Sequence, residues 1–86
     1  MKTTTMFRDA VAQIPNDVRI EVDLSFAIAD KIDAILKQKG MTQKECARKM
    51  GKTEAEVSRW VGGTHNFTLR TIAKISDVLG ERILTI

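Results

Sequence analysis

Cationic side chains are concentrated in the middle of this chain of 86 residues, where they could bind a polyanion. Residues 37–74 contain nine Lys or Arg and three Glu, a net charge of +6, whereas residues 1–36 carry −2 and residues 75–86 carry −1. Such a segment is usually only a solvated surface. On an element that enters a nucleic-acid groove, however, it indicates phosphate binding.

Residues suited to catalysis or to metal binding are few. The chain has one histidine and one cysteine, so the sequence places no nucleophile with a base in a pocket, and no His/Cys cluster has the spacing of metal ligands. We therefore predict that the protein is not an enzyme and has no cofactor and no metal site. A helical module that binds only proteins stays open as an alternative.

Two short helices joined by a tight turn are predicted between Thr42 and Gly63. Each begins with a Thr and a Glu three residues later, a capping box in which the two side chains satisfy backbone donors, and each ends at a glycine. These residues are Thr42, Glu45 and Gly51 in the first helix, and Thr53, Glu56 and Gly62 in the second. Inward positions at helical spacing are Cys46, Ala47 and Met50, then Val57, Trp60 and Val61. Helices joined so closely cross steeply, as in the helix-turn-helix whose second helix enters the DNA major groove.

The solvent face of the second helix is the predicted base-reading surface, formed by Glu54, Ala55, Ser58 and Arg59. Arg59 is the main candidate, because a guanidinium can bond O6 and N7 of guanine together; the alternatives are an arginine bound only to phosphate and one that is merely exposed. Ala55 could contact a thymine methyl or nothing, and Ser58 a base or a phosphate. Glu54 could accept from a cytosine amine or repel phosphates, and these two interpretations stay open.

The same region resembles known families. TQKECARKMG, followed by a helix ending in SRWVGG, resembles the repressor-type helix-turn-helix of phage repressors and Cro proteins. GGTHNFTLRTIAKI (62–75) and VDLSFAIADKI (22–32) are similar to HigA-type antitoxins, and the resemblance extends from about Ile14 to Ile86. It implies a homodimer on a palindromic operator that neutralises an mRNA-endonuclease toxin of the RelE/HigB type and represses the shared operon. The alternative is a stand-alone repressor of phage or prophage type without a toxin.

Phosphate contacts are expected where both helices begin, since their free backbone N–H groups attract anions. Gln43 matches the family's glutamine in the first turn of the first helix, which implies an amide on a phosphate. The full predicted set is Thr42, Gln43, Lys44, Lys52 and Thr53. Weaker candidates are His65, Asn66 and Arg70, and for the first two a role within their own loop is favoured.

The rest of the chain is predicted to be mostly helical. Apolar spacing indicates a helix over 4–14, ended by Pro15, and another over about 17–39, ended by Gly40. Strict alternation over 18–24 by itself argues for a strand and competes there with helical spacing, so a break near 21–24 stays open in the second of these helices. A last helix begins at the Thr68 cap and ends at Gly80, with inward positions Leu69, Ile72, Ile75 and Leu79.

Length and composition predict one all-α domain over 1–86, a compact bundle of about five helices. It has an N-terminal helical extension (about 4–22) and a short tail (81–86), which could form a strand that pairs with a second subunit. The N-terminus lacks the apolar core of a signal peptide, so we expect a cytoplasmic protein.

Overall fold

The computed structural model describes residues 14–63 and 65–86. It contains four helices there, α1 (Asn16–Gln38), α2 (Gln43–Met50), α3 (Glu54–Val61) and α4 (Leu69–Leu79), and no strand within these residues. The all-α prediction is thereby confirmed. The helix expected over 4–14 falls almost entirely on residues outside the described part, so the number five is not confirmed.

Helix α1 is continuous for 23 residues, which confirms the predicted helix, and the break near 21–24 that the alternation left open does not occur. Two residues that are two positions apart in the sequence lie about 200° apart around a helix. The alternation over 18–26 therefore places apolar side chains on different sides of α1. The structure accordingly leaves all of them 40–55% exposed; they are Val18, Ile20, Val22, Leu24 and Phe26. The strand that the alternation by itself indicates is therefore not formed, and these residues belong to an exposed part of a helix.

The C-terminal half of α1 builds the core. Its buried side chains, Ile28, Ala29, Ile32, Ile35 and Leu36, recur at helical spacing. They pack with the inward residues of α2, α3 and α4 around fully buried Val57, Cys46 and Ile75. Contacts join α2 with α3, α1 with α3, and α2 with α4, so α3 is fixed between two other helices.

The last three helices each begin at a threonine whose hydroxyl accepts the backbone N–H three residues later. The pairs are Thr42 with Glu45 at 3.1 Å, Thr53 with Glu56 at 3.2 Å and Thr68 with Thr71 at 3.2 Å. One detail of the capping box differs from the prediction. The Glu45 carboxylate accepts from the Thr42 hydroxyl at 3.2 Å, so it interacts with the capping side chain and not with the backbone donor.

The end of the chain packs on the core without forming a strand. Ile83 is buried, and its backbone N–H donates to Ser76 Oγ at 3.1 Å, while Ser76 Oγ donates to the Ile72 carbonyl at 2.7 Å. Leu69 departs from the prediction more clearly, because it is 80% exposed instead of inward. It is the first residue of α4, and the core reaches the helix only one turn later, at Ile72.

Within residues 14–63 and 65–86, no helix is both long and apolar enough to cross a membrane.

Candidate nucleic-acid interface

The turn between α2 and α3 is closed by backbone hydrogen bonds to the end of α2. Gly51 has a left-handed conformation (φ 69°), and its N–H donates to the Arg48 carbonyl at 3.3 Å. Lys52 N–H donates to the Ala47 carbonyl at 2.9 Å, and Thr53 then caps α3. Three residues thus separate the two helices and begin the second one, which is the helix-turn-helix predicted from the sequence.

Helix α3 is anchored by one face and open on the other. Val57 is fully buried and Trp60 is 2% exposed, which confirms the prediction that Trp60 belongs to the core and leaves it unable to stack on a base. All four predicted base-reading residues, Glu54, Ala55, Ser58 and Arg59, are exposed. Helix α3 is only eight residues long, and two of these residues are held in the core. The position of the Arg59 backbone is therefore fixed relative to the core.

The predicted phosphate contacts lie around the starts of α2 and α3. Lys44 and Lys52 are exposed, and Gln43 is half-buried in the first turn of α2. The two threonines differ in what they can still donate. The Thr42 hydroxyl donates its proton to Glu45, whereas the Thr53 hydroxyl accepts the Glu56 N–H and keeps its own proton for an anion.

The loop between α3 and α4 holds His65 by its aromatic neighbours. The His65 ring lies edge-on to Phe67 with centroids 4.9 Å apart, and its centroid is 6.2 Å from that of Trp60. This geometry supports the role within the loop for His65. Asn66 is exposed and lines a groove between this loop and α1, while Arg70 is exposed in the first turn of α4.

One contact near the interface was missed from the sequence. Gly63, which the sequence analysis treated only as the boundary of the motif, is buried against the ring of Phe26 on α1. The turn that follows the candidate recognition helix is therefore packed against α1. The only sequence signal for this contact was the apolar side chain of Phe26 itself. Because Phe26 belongs to the alternating run over 18–26, its spacing did not show that it faces Gly63.

Cys46 lies fully buried at the inward side of α2, and burial raises the pKa of its thiol above the ordinary value. A neutral buried thiol behaves as a small apolar side chain, as expected. The described residues, 14–63 with 65–86, contain no group of His, Cys, Asp and Glu arranged to hold a metal ion.

Comparison with known proteins adds one match. A family model, HTH_3, described as helix-turn-helix, matches residues 32–86, which include the last two turns of α1, the two helices of the motif, α4 and the tail. No curated protein and no solved structure matches the chain significantly.

Proposed function

From the premise that this chain belongs to the helix-turn-helix family of DNA-binding transcription regulators of the XRE kind, we propose that it is an operator-binding repressor that controls its own operon. The observation that carries this proposal is the division of α3 into two faces. Val57 and Trp60 fix one face in the core, and the opposite face presents Arg59 to solvent beside Ser58 and Ala55.

Charge supports an approach of this face to DNA. The only carboxylates between residues 37 and 74 are Glu45, Glu54 and Glu56, against nine cationic side chains. Glu45 accepts from its own cap residue, and Glu56 is half-buried in the first turn of α3. Glu54 is therefore the one exposed carboxylate expected to influence which base sequences are accepted.

The experiment measures binding of the full chain to its own promoter and to random DNA as salt is varied. We expect Arg59→Ala to weaken promoter binding by about 5–150-fold, equivalent to about 1–3 kcal/mol for a bidentate base contact, and to leave binding to random DNA nearly unchanged. Arg82→Ala, a change of the same chemistry in the tail, is the matched control. If no promoter fragment outcompetes random DNA, the repressor proposal fails.

We further propose that the protein is the antitoxin of a toxin–antitoxin operon and binds as a homodimer. The resemblance to HigA-type antitoxins supports the first part. Helix α1 supports a protein partner of some kind, because five large apolar side chains along residues 18–26 are 40–55% exposed, and exposed apolar surface of this extent on one helix is typical of an interaction site.

Two measurements separate these partners. Light scattering of the purified chain, with and without Leu24→Lys, tests whether a second copy covers α1. Co-expression with the product of the adjacent reading frame tests the toxin: the antitoxin proposal requires that this product arrests growth alone and forms a complex with the chain. A regulator that binds its promoter but has no such neighbour is instead the stand-alone repressor.

A further inference from the structure

A groove beside the helix-turn-helix is formed where the first two turns of α4 pass the end of α2. It has a volume of about 300 Å³ and is lined by Met50, Gly51, Lys52, Arg70, Thr71 and Lys74. Lys52 belongs to the turn before α3, and Arg70 and Lys74 lie one helical turn apart on α4. Cations from two distant parts of the sequence therefore meet at one site.

No carboxylate lines this groove. Asp77 lines a neighbouring groove that shares Arg70 and Lys74 with this one. Within residues 14–63 and 65–86 the one ion pair is Lys37 with Asp33 on α1, at 2.9 Å, so none of the three cations of the groove is paired there. Three neighbouring positive charges repel one another, and an anion bound between them would remove that repulsion.

The groove adjoins the surface that is expected to meet DNA. Lys52 directly precedes Thr53, the N-cap of α3, and the first turn of α3 is the part of a recognition helix that contacts base edges. When that turn enters the major groove, the strand backbone passes beside it. Because Lys52 both precedes α3 and lines the groove, a phosphate of that strand near Lys52 would also be near the groove.

We propose that this groove binds a backbone phosphate of duplex DNA, and that Lys74 is a phosphate contact together with Lys52 and Arg70. The proposal rests on the DNA-binding function proposed above and extends its contact surface from the helix-turn-helix to α4. Such contacts set the register of the protein on the duplex and carry no base preference.

The test compares the salt dependence of DNA binding for the full chain and for Lys74→Gln. Removal of one phosphate contact makes the slope of log K against log salt shallower by about 0.9. Lys74→Gln is expected to have a slope shallower by about this amount on promoter and random DNA alike, so that the ratio of the two affinities is unchanged. Lys74→Arg keeps the charge and is expected to retain the wild-type slope.

Lys31→Gln is the matched control, an exposed lysine of α1 outside the groove, and it is expected to leave the slope unchanged. The groove proposal is overturned if Lys74→Gln has the wild-type slope, or if Lys31→Gln makes the slope equally shallow. These results are distinct from failure of the repressor proposal, in which promoter and random DNA bind alike. A shallower slope for Lys74→Gln would then still support the groove.

Discussion

Gly63 lies directly against the ring of Phe26: a Cβ at Gly63 would be 2.5 Å from both Cδ1 and Cε1 of that ring. Gly63 follows α3, the candidate recognition helix, and Phe26 lies on the part of α1 that extends beyond the core. The contact thus connects the exposed half of α1 with the end of the helix-turn-helix. The backbone of Gly63 has a φ of 78°, a left-handed conformation that favours glycine whether or not the ring is present.

Gly63→Ala is expected to cost more stability than Gly80→Ala. Gly80 has a similar φ of 74° but nothing within 4 Å of its Cβ position, so Gly80→Ala adds only the left-handed strain of about 1–2 kcal/mol. At Gly63 the half-exposed Phe26 ring must also rotate away and lose packing worth about 1 kcal/mol. Urea unfolding of both variants measures the difference.

The additional cost at Gly63 is expected to vanish in a Phe26→Ala background, because no ring remains to be displaced. If Gly63→Ala and Gly80→Ala cost the same with Phe26 present, the contact contributes nothing to stability.

Cys46 is expected to resist thiol reagents in the folded protein. Its side chain is fully buried and its pKa is raised by desolvation, so the reactive thiolate is both scarce and inaccessible. Ellman's reagent at mildly alkaline pH should react with the thiol only after urea is added. Rapid stoichiometric reaction of the native chain would contradict this prediction.

The same pKa shift predicts the sign of a pH effect on stability. The fold favours the neutral thiol, so the Cys46 contribution is complete below the ordinary thiol pKa and is lost as pH rises through the raised value in the folded state. Unfolding free energy measured over that alkaline range should fall less for Cys46→Ala than for wild type.

Ser76→Ala is expected to loosen the tail. Ser76 Oγ accepts the Ile83 N–H at 3.1 Å, and removing it leaves a partly buried backbone donor without that partner, at a cost of about 1 kcal/mol. Hydrogen exchange should show a faster Ile83 amide in this variant. Ser58→Ala, on the exposed face of α3, serves as control, and an unchanged Ile83 rate in Ser76→Ala would show that the hydroxyl does not hold the tail.

Trp60→Ala is expected to abolish the fold under ordinary conditions. Truncating a buried tryptophan costs about 3–5 kcal/mol, a large part of the stability of a small domain, and Trp60 is 2% exposed between α3 and the core. The substitution removes the only tryptophan, so far-ultraviolet circular dichroism measures the helix content of the variant. A cooperative unfolding transition in Trp60→Ala at the urea concentration of the wild type would contradict the prediction.

The helix-turn-helix was predictable because its signals are local. Thr42, Thr53 and Thr68 cap their helices through an atom three residues away, and Gly51 ends α2 by its own backbone conformation. The spacing of Val57 and Trp60 determines which face of α3 is inward, and so also which face carries Arg59. Each of these relationships joins residues within one or two helical turns, so the types and spacing of those residues are enough to predict it.

Other features depend on neighbours that are distant in the chain. Leu69 continues the periodic stripe of α4 and is nevertheless 80% exposed, while Ile83, in a tail without periodicity, is buried. The cationic groove exists because α4 brings Arg70 and Lys74 beside Lys52. Local hydrogen bonds and side-chain spacing follow from the sequence. Which side chains are buried, and which charged side chains become neighbours, depends on how the helices are positioned relative to one another. That arrangement is determined only when the core packs.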